Sequence, residues 1–405
     1  MSILIHGGRV VDPVAGDMGS KDVWVVGDRI VAITEPAPYA VGVKVDPDAT
    51  VIDATHCLVV PGFVDTHRHT WQTAVRGVLP SCTLDEYFAG MLGTLVARYR
   101  PEDVYISNLI GAFEALNAGI TTLVDWSHIS NTPDHAVQAV EGLQASGIRA
   151  VYANGTPGSP DYWMNSTKPH PPEILRYLAT VLAGDPRITL AMAARAPGAA
   201  TLDTVEADFA LARKLGIRIT LHIAYRLTGD GHPQHIAQLD SRGLLGPDVT
   251  YIHCTDSTDA ELDRIAATGG HVSIAPFVEM LMGHGVPPTG RCNHRGICNS
   301  LSVDVVSSAP GNMWTQMHAS LIAERMLQLP ASSYTRFTPT YNHMDAWRAA
   351  TIHGAHGCGL DETGSLAVGK LADIVLLRTD RVNTAPVTDP TFTVTTAADT
   401  SNVDT

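Results

Sequence analysis

The sequence predicts an α/β protein: a (β/α)8 barrel of the TIM type, with a small β-sandwich satellite built from both ends of the chain. Eight apolar runs of strand length alternate with helical patterns through the middle of the chain. Those runs are continuous rather than alternating, as in parallel strands buried on both faces. Turn-punctuated β segments flank them on either side. An open doubly wound sheet is the rival architecture, but no Gly-x-Gly-x-x-Gly fingerprint follows the first barrel strand.

Residues 1–58 carry short apolar runs separated by turn residues, among them Ile3-Leu-Ile5, Val10-Val11 and Val23-Trp-Val-Val26. Gly27-Asp28 between two such runs is a hairpin signal. From about residue 59 the rhythm changes. Strands are expected at 60–67, 120–126, 149–153, 188–194, 217–223, 249–254, 271–275 and 301–306. Helices are expected near 102–118, 133–146, 172–183, 203–215, 233–243, 259–268 and 311–328, several opening on Asp, Ser or Thr caps. Residues 330–342 are rich in Pro, Ser and Thr and read as a loop or lid, and Asp345 to His356 reads as a helix. The chain then returns to β in Gly364–Leu377, so 1–58 and 362–405 form one composite β domain and 59–361 the inserted barrel.

With 405 residues, 45% of them hydrophobic, the chain can bury a sizeable core. A formal charge of −14 argues against nucleic acid or an anionic membrane as partner and favours a neutral or cationic small molecule. The start Met1-Ser-Ile-Leu-Ile-His6 lacks the features of a signal peptide, and no run of 18 apolar residues occurs. Six scattered cysteines ask for no disulfides. The expectation is a soluble, cytoplasmic protein.

Barrel enzymes place their chemistry at the C-terminal ends of strands. The first strand ends in Asp65-Thr-His-Arg-His69, where alternation puts His67 and His69 on one side and Arg68 on the other. About one His-x-His pair is expected by chance in a chain with 18 histidines, so the pair needs company. It has company in His222, His253 and Asp304, at the ends of the fifth, sixth and eighth strands. A lone buried histidine is more often a packed residue bonded to a carbonyl, but four converging strand ends reverse that. Three nitrogens and a carboxylate make a first set of ligands for a divalent ion with an open position for water.

Taken with Gly364-Ser-Leu-Ala-Val-Gly-Lys-Leu-Ala-Asp-Ile-Val375, the motifs Pro61–His69, His222, His253 and Ser302-Val-Asp304 resemble the amidohydrolase superfamily, in the branch holding chlorohydrolases, cytosine deaminase and S-adenosylhomocysteine deaminase. The resemblance covers nearly the whole chain. It implies a metal-dependent hydrolase in which an activated metal-bound water attacks an sp2 carbon, deaminating or hydrolysing a C–N bond of a small N-heterocycle. His67, His69, His222 and Asp304 would hold one ion, zinc first and iron second. His253 would polarise the water or substrate, and Asp304 would also take its proton. A homo-oligomer is implied by the same analogy. The bridging lysine of two-metal relatives is missing from Ile188–Arg195, which favours one ion.

One departure stands out. Such deaminases carry a glutamate three residues after the fifth-strand histidine, and here that position is Tyr225. A phenol with an ordinary pKa near 10 shuttles protons poorly at neutral pH. Glu279, just past the seventh strand, is the candidate replacement, against a plain solvated loop glutamate. Trp71, Gln72, Trp126 and His128, with Tyr225, are the candidate substrate contacts, and Trp163 and Trp314 fall near the same loops; each is individually more often a loop anchor. Asp125 and His128 would orient the site or cap a helix. Cys292, His294 and Cys298 only loosely resemble zinc spacing. Two rivals stay in view: hydrolysis of an amide, lactam or carbamate, which needs no ring-nitrogen donor, and a catalytically silent binding protein.

Overall fold

The computed structural model describes residues 2–36, 48–225, 234–329 and 339–405. The loop or lid expected at 330–342 lies largely outside them. Strands β1 (Ser2–Asp12), β2 (Gly16–Val26), β3 (Arg29–Thr34), β4 (Thr50–Asp53) and β5 (Cys57–Pro61) come from the first segment, and β14 (Ile374–Arg378) joins them from the far end of the chain. The order β14-β5-β1-β2-β3, with β4 also on β1, makes one mixed sheet. β14 runs antiparallel to β5, pairing Ile374 with Pro61, which is how the chain ends meet. The β2–β3 turn falls on Gly27-Asp28, as its residues predict.

The barrel strands are β6 (Phe63–Arg68), β7 (Ile120–Ser127), β8 (Arg149–Asn154), β9 (Ile188–Ala194), β10 (Arg218–Ile223), β11 (Val249–His253), β12 (His271–Ile274) and β13 (Asn299–Leu301), side by side in chain order and all parallel. Beyond β13 the chain closes the ring on β6: the Asp304 N–H donates to the His67 carbonyl at 2.9 Å and the His69 N–H to the Asp304 carbonyl at 2.8 Å. The helices Pro101–Asn117, Pro133–Ser146, Pro172–Val181, Leu202–Leu215, His235–Ser241, Asp259–Thr268 and Met313–Gln328 follow the alternation. Their ends carry expected signals: a Thr258–Glu261 capping box opens one, and Gly147, Gly216 and Gly269 close three in the left-handed region.

Four expectations are corrected. The first barrel strand does not run 60–67: β5 ends at Pro61 in the small sheet, and β6 starts at Phe63 in the barrel. The passage needs Gly62, because a Cβ there would lie 2.0 Å from the Thr121 hydroxyl. The eighth strand is Asn299–Leu301, with 302–306 serving as closing segment. Asp345–His356 is two helices, His343–Ala349 and Ile352–Gly357. Past β14 the tail turns into short helical segments from Pro390 to Asn402, so 362–405 is only partly β. Trp314 shows why: its Nε1–H donates to the Val394 carbonyl at 2.8 Å, tying the tail to a barrel helix. No described helix is long and apolar enough to cross a membrane, and all six cysteines are free thiols.

Candidate metal centre

Strict alternation would fail to build this site. Val64 and Thr66 face the barrel interior, Val64 packing with Val124 and Trp126, and Thr66 bonding Ser273 and Ser300. His67 should then face outward. The pairing of β6 with β7 slips between Asp65 and Arg68, and this bulge swings His67 and His69 inward while Arg68 points out to Glu114. A similar break places His253. It pairs with Ile223, one step beyond the inward Ile252, so an extended backbone would aim it at the helices. Its φ is +75°, and Ala224, Cys254 and Asp304 share positive φ at these strand ends. The turned backbone brings the His253 ring to 5.5 Å from that of His222.

Four ligand atoms, from His67, His69, His222 and Asp304, lie within 4.8 Å of one another. His67 Nε2 is 3.1 Å from Asp304 Oδ1 and 3.1 Å from His222 Nε2, and His69 Nε2 is 3.4 Å from the same carboxylate oxygen. His69 Nδ1 donates to the Trp126 carbonyl at 2.7 Å, which leaves the lone pair of Nε2 pointing into the group. Burial, then the neighbouring histidines, drives His69 and His222 far below the usual imidazole range. For Asp304 burial alone would raise the pKa, but its hydrogen bond with His67 and the surrounding imidazoles outweigh it and hold the carboxylate below its ordinary range. Three buried imidazoles grouped with a carboxylate fit a divalent cation. No other such group occurs among the described residues, so Cys292, His294 and Cys298 do not form one; Cys292 is a buried thiol pushed up to about 12 by burial. β9, where a bridging lysine would sit, contributes no ligand.

Supports surround the group. Asp125 accepts from the Thr70 N–H at 3.2 Å and Asn108 Nδ2 at 2.7 Å, pinning the chain just past His69. Asp65 accepts from the Val303 N–H at 3.0 Å and so fixes the approach to Asp304. Trp126 packs its ring 4.2 Å from His222, and its Nε1–H donates to the Thr220 carbonyl. Trp71 Nε1–H donates to His128 Nδ1 at 3.3 Å, leaving the His128 proton on Nε2, 4.1 Å between ring centres from His69. Gln72 is held between Tyr87 and Ser307. Trp163 donates to the Pro157 carbonyl near Trp126, whereas Trp314 packs on Phe63 away from the centre. Neither the cavity lined by Thr66, Thr250 and Cys358 nor the one lined by Cys298, His353 and His356 contains any of the four ligand residues.

Glu279 is no solvated loop residue. It is fully buried in the helix Pro276–Leu281, where Oε1 accepts from the Ala275 N–H at 2.8 Å and lies 3.0 Å from His253 Nδ1. Burial pushes Glu279 up to about 8 and His253 down to about 4, so the pair carries one mobile proton at neutral pH. The other ring nitrogen of His253 is 3.9 Å from Asp304 Oδ2. Tyr225 stands beside both histidines, its ring 6.3 Å from His222 and 6.0 Å from His253, and burial raises its phenol to about 12. Sequence reasoning passed over His284, whose buried ring packs edge-on to His253 at 4.8 Å. Its flanking glycines in Met-Gly-His-Gly285 were the available signal.

An amidohydrolase family model matches residues 58–404, the ligand group included. The chain belongs to the amidohydrolase family. Over 417 residues it is 30% identical to a 5'-deoxyadenosine deaminase of Methanothermobacter thermautotrophicus, covering 100% of this chain and 91% of that one. A 5-methylthioadenosine/S-adenosylhomocysteine deaminase of Symbiobacterium thermophilum is 29% identical over 95% of this chain and 87% of its own. In fold it is similar to a zinc-bound adenosine deaminase from Xanthomonas campestris (TM-score 0.85, 23% identity, 99% and 90% coverage). It is also similar to a zinc complex of an atrazine chlorohydrolase from Arthrobacter aurescens (TM-score 0.82, 19% identity, 99% and 94% coverage). This amidohydrolase is a metal-dependent hydrolase of carbon–nitrogen bonds.

Proposed function

We propose that this amidohydrolase deaminates a small amino-substituted N-heterocycle, with one divalent ion held by His67, His69, His222 and Asp304, zinc ahead of iron. Bound there, the ion acidifies water and polarises the carbon under attack. Asp304 accepts the proton of the attacking water, and His253 orients that water from the opposite side. Glu279 delivers a proton to the ring nitrogen, the task of the glutamate that Tyr225 replaces. Trp71, Trp126 and His128 wall the substrate side.

The observation that carries this reading is the buried Glu279 on His253, a carboxylic acid still protonated near neutrality. The adenosine-type deaminases among its relatives point to an amino-heterocycle. Tyr225 favours a second reading, hydrolysis of an amide, lactam or carbamate, because there no ring nitrogen needs a donor. Ammonia release by the zinc-loaded protein from aminopurines, their nucleosides and aminopyrimidines, run beside cyclic amides and carbamates, separates the two. Ring opening without ammonia from any amino-heterocycle would replace the first reading by the second.

A further inference from the structure

We propose that His284 is a substrate-contacting residue that, with the Oε2 atom of Glu279, reads the ring edge next to the carbon under attack and selects rings carrying an oxo group there. The inference rests on the deaminase reading for the identity of that carbon.

The loop holding His284 is pinned rather than free. Thr255 Oγ1–H donates to the His284 carbonyl at 2.9 Å, and the Leu84 N–H donates to the Met282 carbonyl at 3.1 Å. Gly285 has φ +136°, and a Cβ on it would lie 3.1 Å from that of Thr255. The held ring is 3% exposed, edge-on to His253 and 6.1 Å between ring centres from Tyr225. Neither of its nitrogens has a partner among the described residues, and neither does Oε2 of Glu279, whose carboxyl meets the same His253 ring.

Other buried histidines keep at least one ring nitrogen paired, as His271 does through Ser300 although its Nδ1 has no partner. His135 has Thr132 Oγ1 at 2.8 Å and the Tyr99 carbonyl at 2.9 Å, and His170 has the Asn154 carbonyl at 3.0 Å. Two unpaired nitrogens and an unpaired carboxyl oxygen buried around one ring, that of His253, are unfavourable unless a ligand pairs them. A neutral imidazole offers one N–H and one lone pair, and a protonated carboxyl one O–H. An attacked carbon flanked by a bare ring nitrogen, with a carbonyl on the next atom, matches them: Glu279 donates to the nitrogen and His284 to the oxygen. A ring lacking the carbonyl leaves His284 unpaired.

The test compares isoguanine with adenine, and cytosine with 4-aminopyrimidine, by direct binding and by ammonia release, in the zinc-loaded wild type, H284A and H284Q. The wild type should favour the oxo member of each pair by about tenfold or more, the scale of one buried hydrogen bond. H284A should erase that preference by weakening the oxo members alone, with zinc content and thermal midpoint near wild type, and H284Q should restore part of it. Equal weakening of both members, or no preference in the wild type, overturns the inference, as does failure of both oxo rings to bind at about millimolar concentration. His284-dependent oxo selectivity in binding without ammonia release would leave His284 in place and remove the deaminase reading instead.

Discussion

The two ends of the barrel use similar residues to opposite effect. At the end away from the metal group, Thr66 Oγ1 lies 2.7 Å from both Ser273 Oγ and Ser300 Oγ, His271 Nε2 lies 2.8 Å from Ser300 Oγ, and Thr250 donates to the Gly357 carbonyl. That end is a polar plug beside the helix Ile352–Gly357 that is bonded at most of these groups, with His271 Nδ1 left unpaired. At the other end six histidines gather, His67 and His222 nitrogen to nitrogen and His284 with neither nitrogen paired, on backbone turned to positive φ at Ala224, His253, Cys254 and Asp304. Each such residue costs roughly 1–3 kcal/mol. One end therefore holds the barrel together, while the other keeps its polar groups unspent for a ligand.

If that division is right, perturbing the two ends should separate activity from stability. The largest effect is expected from a His67→Asn/His69→Asn double variant, which should retain little metal by elemental analysis and lose at least about 10³ in turnover; one ion per chain kept undiminished would sink the ligand assignment. His253→Asn should reduce kcat by about 10² or more while metal content stays near normal. Parallel loss of metal would make His253 a ligand. Next, Glu279→Gln should cost about 10² in kcat against under tenfold for Tyr225→Phe, and the reverse order would return the acid role to the phenol.

Glu279 also supplies a pH test on metal-free protein. Its folded pKa, about 8, lies above the ordinary 4.5, so the folded chain keeps a proton that the unfolded chain releases. Stability from this group is full below about pH 4.5 and is lost as pH rises through 8, so wild type should fall relative to Glu279→Gln over that window by up to about 1 kcal/mol per pH unit. A constant difference in denaturant midpoints would show that the carboxyl ionises freely. The smallest effect belongs to the other end: Ser300→Ala should lower stability by about 1–2 kcal/mol with kcat within about twofold. A large loss of activity there would break the division of labour.

Much of this was legible in the sequence. Continuous apolar runs exposed the parallel barrel because burial on both faces removes alternation, and the strand-end residues His67, His69, His222 and Asp304 stood out because polar groups there have no packing reason. What was hidden depended on tertiary detail. The bulge between Asp65 and Arg68 and the positive φ of His253 decide which way those rings point, and neither residue type announces them. Glu279 stood as the candidate acid but could not be told from a solvated loop glutamate, because its helix is only six residues long, Pro276–Leu281, too short to leave a periodic pattern. Segment 362–405 reads as β from its run Gly364–Leu377, yet beyond Arg378 the chain is held as helical turns against Trp314 and His318.

The closing seam has a consequence for how the protein is made. His67 and His69 emerge early in synthesis, whereas Asp304, which bonds to both of their backbones, lies 237 residues after His67. A nascent chain exposes a two-histidine claw long before it can complete the coordination group. Capture of an ion by all four groups would thus wait until the last barrel strand docks on the first, and a chain truncated before that strand would carry three of the four ligands and an open ring.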